Sequence, residues 1–170
     1  MKSLVSSKLL RPLKIFISGV ALTLTFVNTG IGEAWAKPKS QIITQQIQTL
    51  QQSNQRWIQI DLSKQRLIAW EGATPMYAVA ISTGKKSTPT LTGSFKIQSK
   101  HRKVRMRGDN YDIPNVPYAM FYDGNYGIHG ADWHRKFGTP VSHGCVNVAV
   151  NHAKWIFNWA SVGTSVVIQR

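Results

Sequence analysis

From residue 56 onward the chain alternates between apolar and polar positions. Trp57, Ile58, Ile60 and Leu62, then Arg66 to Trp70, predict two strands joined by a turn at Ser63-Lys64-Gln65. Residues 71–75 predict a further turn, and Met76 to Ser82 a third strand. Gly84 to Thr92 reads as a loop carrying Pro89, and Gly93 to Ile97 begins a fourth strand. Lys100 to Arg107 is the most highly charged stretch. It reads either as a solvated strand edge, where charge discourages pairing between sheets, or as a basic lip facing a substrate. Asp109 to Pro117 holds two prolines and reads as a loop. Tyr118 to Tyr122 and Tyr126 to His129 predict strands around the turn Asp123-Gly124-Asn125. Ala149 to Ala160 carries a helical pattern, with Ala153, Ile156, Phe157 and Ala160 on one face. Gly163-Thr164 ends it, and Ser165 to Ile168 predicts a closing strand. Short strands at even spacing point to a mainly β sandwich or barrel, not to alternating β and α units.

The first 55 residues follow other rules. Residues 1–36 combine a basic start (Lys2, Lys8, Arg11, Lys14), an apolar run from Ile15 to Val27, and Ala34-Trp35-Ala36, with small residues where a signal peptidase reads. They predict a signal peptide, with an uncleaved N-terminal anchor as the alternative. The apolar run is short of the roughly 20 residues of a membrane span. Residues 37–55 are rich in Gln, Ser and Thr, with Ile42, Ile43, Ile47 and Leu50 at rough helical spacing. They predict a linker or a short, poorly packed helix.

Export changes how charge and sulfur are read. Removing residues 1–36 takes away four basic residues and Glu33, leaving 17 Lys and Arg against 6 Asp and Glu, a formal charge of +11. That balance attracts anionic partners. For an exported protein the expected partner is an acidic polymer of the cell envelope, not nucleic acid. Cys145 is the only cysteine, so no disulfide forms within the chain. A lone thiol is a buried inert residue, an intermolecular bridge or a working nucleophile.

Its neighbours favour the last. Val141-Ser142-His143-Gly144-Cys145-Val146-Asn147 and the upstream Ile128-His129-Gly130 place two histidines and two glycines around the thiol. An ordinary thiol, with a pKa of about 8.5, is only a few per cent ionised at neutral pH and needs a base. His143 is two residues away, and His129 ends a separate predicted strand; local sequence does not rank them. Gly144 permits a tight turn that aims the N–H groups of Gly144 and Cys145 at one point, as an oxyanion requires. Zinc held by His129, His134, His143 and Cys145 is the competing chemistry, but the spacing fits no structural zinc pattern.

The histidine of Ile128-His129-Gly130 lies thirteen positions before Ser142 of Ser142-His143-Gly144-Cys145. This arrangement resembles the catalytic signature of the L,D-transpeptidases of the bacterial cell wall. Ile81-Ser82-Thr83-Gly84, residues 89–95 and the apolar ending extend the likeness over residues 56–170, and no second domain or wall-binding repeat is evident. The resemblance implies a β-sandwich with one helix after the cysteine. It implies Cys145 as nucleophile, His129 as base, and a carbonyl near Gly130 to orient the imidazole. His143 and Gly144 would shape the turn and oxyanion pocket. Ser142 and Asn147 would line the acyl-enzyme site, with Trp133 and Tyr111 as walls for a stem peptide. Val146-Asn147 departs from the family's commoner Ile-Arg or Val-Arg, so Arg135 or the 100–107 run would supply substrate-binding charge. The implied activity is transfer between peptidoglycan stem peptides through a Cys thioester, in the periplasm or cell wall, by a monomer with no cofactor or metal. The rivals are an L,D-carboxypeptidase or cysteine peptidase of the envelope, and a wall-binding module without catalysis.

Overall fold

A computed structural model describes residues 36–108 and 111–170. Residues 1–35 of the predicted leader lie outside the described residues, as do positions 109 and 110 of the predicted loop. Strands β1 (Arg56–Asp61), β2 (Arg66–Glu71), β3 (Thr74–Ala80), β4 (Gly93–Lys96) and β9 (Ser165–Gln169) form a sheet in the order β3-β2-β1-β9-β4. Strands β5 (Ser99–Gly108), β6 (Tyr111–Asp123), β7 (Tyr126–Gly130) and β8 (Val146–Val148) form a second sheet in that order. Pairing is antiparallel except at β1–β9 and β7–β8, which are parallel. Helix α2 (Val150–Trp159) follows the cysteine segment. This is the mainly β, two-sheet fold expected.

Alternation explains the core. Ile58 and Ile60 of β1 and Val166 and Ile168 of β9 point to one face, where they meet Met120, Tyr122, Ile128, Val146 and Val148 of the second sheet. Ala153, Ile156 and Phe157 of α2 close the same core. Trp57 and Val167 fall on the opposite face of the first sheet, which therefore needs its own cover. Helix α1 (Lys39–Gln51) supplies it, burying Ile43 and Leu50 against them. Of the two alternatives, linker or short, poorly packed helix, the Gln-rich segment is the helix, and it is docked on the sheet within one compact unit with the strands. Among the described residues no helix is long and apolar enough to cross a membrane.

The expected loop at 109–117 differs most. From Tyr111 onward it is strand, the distal arm of a long β5–β6 hairpin. Its prolines are tolerated because β7 pairs only with the later part of β6, from Met120 to Asp123. Pro114 and Pro117 therefore lie where β6 has β5 as its single strand neighbour, so each missing N–H has at most one ladder to interrupt. Strand β3 also starts two residues early, taking Pro75 into an edge strand. The charged stretch from Lys100 is β5, the other sheet's edge.

One charge on that edge has a structural task. Lys100 Nζ donates to the carbonyls of Phe157 (2.6 Å) and Ala160 at the end of α2, and lies 4.4 Å from the Phe157 ring. A cation at a helix C-terminus satisfies carbonyls that the helix leaves open. Lys100→Met should lower unfolding stability by about 2 kcal/mol in urea denaturation, with the denaturant slope unchanged.

Candidate active site

The site grows from the parallel pair β7–β8. Ile128 lies opposite Val146, His129 opposite Asn147, and Gly130 opposite Val148. Ile128, Val146 and Val148 face the core. Alternation then turns His129 and Asn147 to the other face, and Cys145, two residues before Asn147, with them. All three line a cavity of about 640 Å³ with Met106, Tyr111, Trp133 and Ser142. His143 also lines it, but its side chain is exposed and its ring rests 5.1 Å from Tyr111 of the hairpin arm.

The turn before the cysteine is held by hydroxyls. Ser142 Oγ donates to the Cys145 carbonyl (2.5 Å) and accepts from the Gly144 N–H (3.1 Å). Gly144 has φ +121°, and a Cβ there would sit 2.7 Å from the Tyr126 ring. Thr90 Oγ1 donates to the Gly144 carbonyl and Thr88 Oγ1 to that of Ser142. The N–H groups of Val141 and Ser142 both donate to the Thr83 carbonyl. The loop after β3 is therefore the scaffold of the cysteine turn.

This changes two expectations. The Gly144 N–H is taken by Ser142 Oγ, so it is no oxyanion donor. The Cys145 N–H donates to no group among the described residues and is the donor left available. Ser142, nearly buried, shapes the turn more than it offers a surface to substrate.

His129 is 3% exposed, and its Nδ1 lies 2.9 Å from the Gly130 carbonyl. A carbonyl only accepts, so Nδ1 carries the hydrogen and Nε2 keeps its lone pair. Burial pushes the His129 pKa down to about 4; the Gly130 bond opposes this, and nearby His134 adds to it. Burial raises the Cys145 thiol above its ordinary value, against the pull of the Gly127 N–H. The thiol donates to the Asn125 carbonyl at 3.4 Å. At neutral pH the site holds an uncharged thiol and an uncharged imidazole, not an ion pair. A second cavity of about 270 Å³, lined by Thr88, Arg107, Asn125 and Tyr126, also reaches Cys145, with Tyr111 and His143 shared between the two.

A protein-family model described as the L,D-transpeptidase catalytic domain (YkuD) matches residues 55–168. The chain belongs to this family. L,D-transpeptidase 1 of Mycobacterium tuberculosis is 34% identical over 100 residues, which cover 51% of this chain and 39% of that protein. L,D-transpeptidase 2 of the same species is 30% identical over 100 residues, covering 51% and 24%. Much of each relative thus has no counterpart in the match. Among solved structures, a mutant Enterococcus faecium L,D-transpeptidase superposes with a TM-score of 0.65 at 28% identity, covering 69% of this chain and 50% of that one. The isolated catalytic domain from E. faecium gives 0.63 at 29% identity, covering 68% and 98%.

Within this L,D-transpeptidase domain, Trp133 stands at the cavity mouth, 41% exposed, its ring 5.7 Å from His129. Arg135 and Lys136 line the main cavity and Arg107 the smaller one. Sequence reasoning missed Thr88, Thr90 and Asn125, which act on the turn and thiol from distant segments. It named His134 only as a metal ligand. No group of His, Cys, Asp and Glu able to hold a metal forms among the described residues. Both ring nitrogens of His134, and Nδ1 of His129, are already engaged by protein atoms.

Two measurements follow from the uncharged pair. Unfolded His129 gains a proton as pH falls through about 6.5, whereas the folded residue waits until about 4. Its contribution to stability is whole above the first value and is lost on descending to the second. Denaturation should show a loss of about 3 kcal/mol across that window, absent in His129→Gln. Alkylation of Cys145 by iodoacetamide should keep rising with pH beyond about 9. A plateau between about pH 5 and 8 is the behaviour of a thiolate–imidazolium pair and would contradict the assignment.

Proposed function

We propose that the protein is a peptidoglycan L,D-transpeptidase in which Cys145 is the nucleophile and His129 the base. The observation that carries this is the shared face of β7 and β8. It puts the thiol and an imidazole with a free Nε2 into one cavity. The fold and the relatives support the same chemistry, and one related structure is described as a complex with imipenem.

The acyl donor is a stem tetrapeptide in the main cavity. Its carboxylates face Arg135 and Lys136, and the Trp133 ring packs along it. Nε2 of His129 takes the thiol proton as sulfur attacks the carbonyl carbon of the third residue. The Cys145 N–H stabilises the oxygen that becomes negative. An imidazolium held below its ordinary pKa is a strong acid, so it readily protonates the departing amine of the terminal D-residue. A thioester remains. An amine of a second stem enters through the smaller cavity, gives a proton to Nε2 and attacks the thioester. The new peptide bond forms, and the sulfur leaves with the proton returned by His129. Water in place of the amine gives carboxypeptidase activity through the same steps. Export to the periplasm or cell wall, directed by residues 1–36, would bring the domain to this substrate.

The test uses a purified disaccharide-tetrapeptide, with products followed by mass. Wild type should form cross-linked dimer, and Cys145→Ser none. His129→Ala should reduce turnover by about 10²–10⁴-fold, and His143→Ala by less than about tenfold, since its ring sits on Tyr111. Dimer made by Cys145→Ser would overturn the reading. Tripeptide without dimer from wild type would move it to hydrolysis.

A further inference from the structure

His134 lies between β7 and β8, its ring against Phe137 (5.0 Å) and Trp133 (6.4 Å). The Lys136 N–H donates to its Nδ1 at 3.2 Å, so Nδ1 holds a lone pair. Burial, then Lys136, push the ring below the ordinary histidine pKa, which keeps it neutral. A neutral ring with an accepting Nδ1 carries its hydrogen on Nε2. Asn147 Nδ2 is placed 3.0 Å from that Nε2, so a hydrogen on both nitrogens would set two donors face to face, and the amide O and N have to be exchanged. A donor there requires an acceptor opposite, so the amide presents its oxygen to the ring and its NH2 group away from it. Asn147 is 3% exposed and lines the cavity that holds Cys145 and His129. Its side chain makes no other hydrogen bond among the described residues.

We propose that His134 is a positioning residue. It grips Asn147 by the amide oxygen and so aims the NH2 group into the cleft, as a donor to a carbonyl or carboxylate oxygen of the acyl donor. Asn147 stands where the resemblance more often gives arginine, a residue that donates from either face and needs no such orientation. An asparagine amide has one donating end and one accepting end. Only a fixed rotamer makes it useful, and the ring supplies that fixing. This inference rests on the acyl-transfer reading above.

The test combines 15N NMR of the imidazole in the full chain with steady-state kinetics on disaccharide-tetrapeptide. The spectrum should show the Nε2–H tautomer of His134. His134→Ala should raise KM for the donor about tenfold, with kcat within about threefold. His134→Gln, whose amide can donate from the Nε2 position, should restore most of it. Asn147→Asp still accepts from the ring but cannot donate, and should match the KM of His134→Ala. Iodoacetamide reactivity of Cys145 should be the same in His134→Ala as in wild type. An Nδ1–H tautomer, a His134→Gln no better than His134→Ala, or a wild-type KM in Asn147→Asp would each overturn the proposal while leaving the transferase reading intact. Absence of both dimer and tripeptide from wild type would overturn the transferase reading, and this inference with it.

Discussion

The site depends on one strand register. Strands β7 and β8 run parallel, and fifteen residues separate Gly130 from Val146. Nothing local in the chain forces His129 to lie opposite Asn147. What forces it is the core face: Ile128, Val146 and Val148 are all fully buried there. A slip of β8 by one residue would turn Cys145 and Asn147 toward the core and move Val146 and Val148 to the cavity face. With apolar burial stabilising by about 25 cal/mol per Å², such a slip is strongly disfavoured. The chemistry is thus specified from behind, by residues that never touch it. Reciprocal bonds between Ser82 and Asn147, at 2.8 and 2.9 Å, fix the same strand from its other edge.

Burial sets the charge state as well as the geometry. Both the thiol and the imidazole are pushed toward their neutral forms. The usual account of a reactive cysteine lowers its pKa with a nearby cation. Here Arg135 and Lys136 line the cavity, yet the net shift of Cys145 is upward, and desolvation is its largest cause. A thiolate formed in such a place is scarce but intrinsically more nucleophilic, because nucleophilicity rises with pKa. On the proposed mechanism the consequence is a thiol that stays unreactive until a bound acyl group receives the electrons while His129 takes the proton.

The hydropathy pattern made most strands legible because most have one buried face or alternate between two. Helix α1 was obscured because its apolar residues are few, and its partner surface, Trp57 and Val167, shows itself only when β1 and β9 are paired. The distal part of β6 was obscured by its prolines, whose harmlessness depends on where β7 stops. The site divides in the same way. Cys145 and the two histidines stand out as residue types, yet it is register that makes His129 the buried imidazole, opposite Asn147 and bonded to the Gly130 carbonyl. Thr88, Thr90 and Asn125 could not be singled out, nor could the bond from His134 to Asn147, since each acts through a contact that only folding creates.

The two cavities bear on transfer as against hydrolysis. A thioester on Cys145 would be open to water from any side that the donor peptide leaves unfilled. Tyr111 and His143, 5.1 Å apart, line both cavities and stand between the hairpin arm and the cysteine turn. A donor filling the larger space leaves the smaller one as the route to the sulfur. That route passes Arg107 and the Tyr126 ring, surfaces that suit a peptide carrying carboxylates better than they exclude it. An acceptor held there has a high effective concentration against the thioester, and positioning of this kind can outweigh the abundance of water. On the proposed mechanism, selectivity for an amine over water would be a property of the second cavity and not of Cys145 and His129, which would treat the two nucleophiles alike.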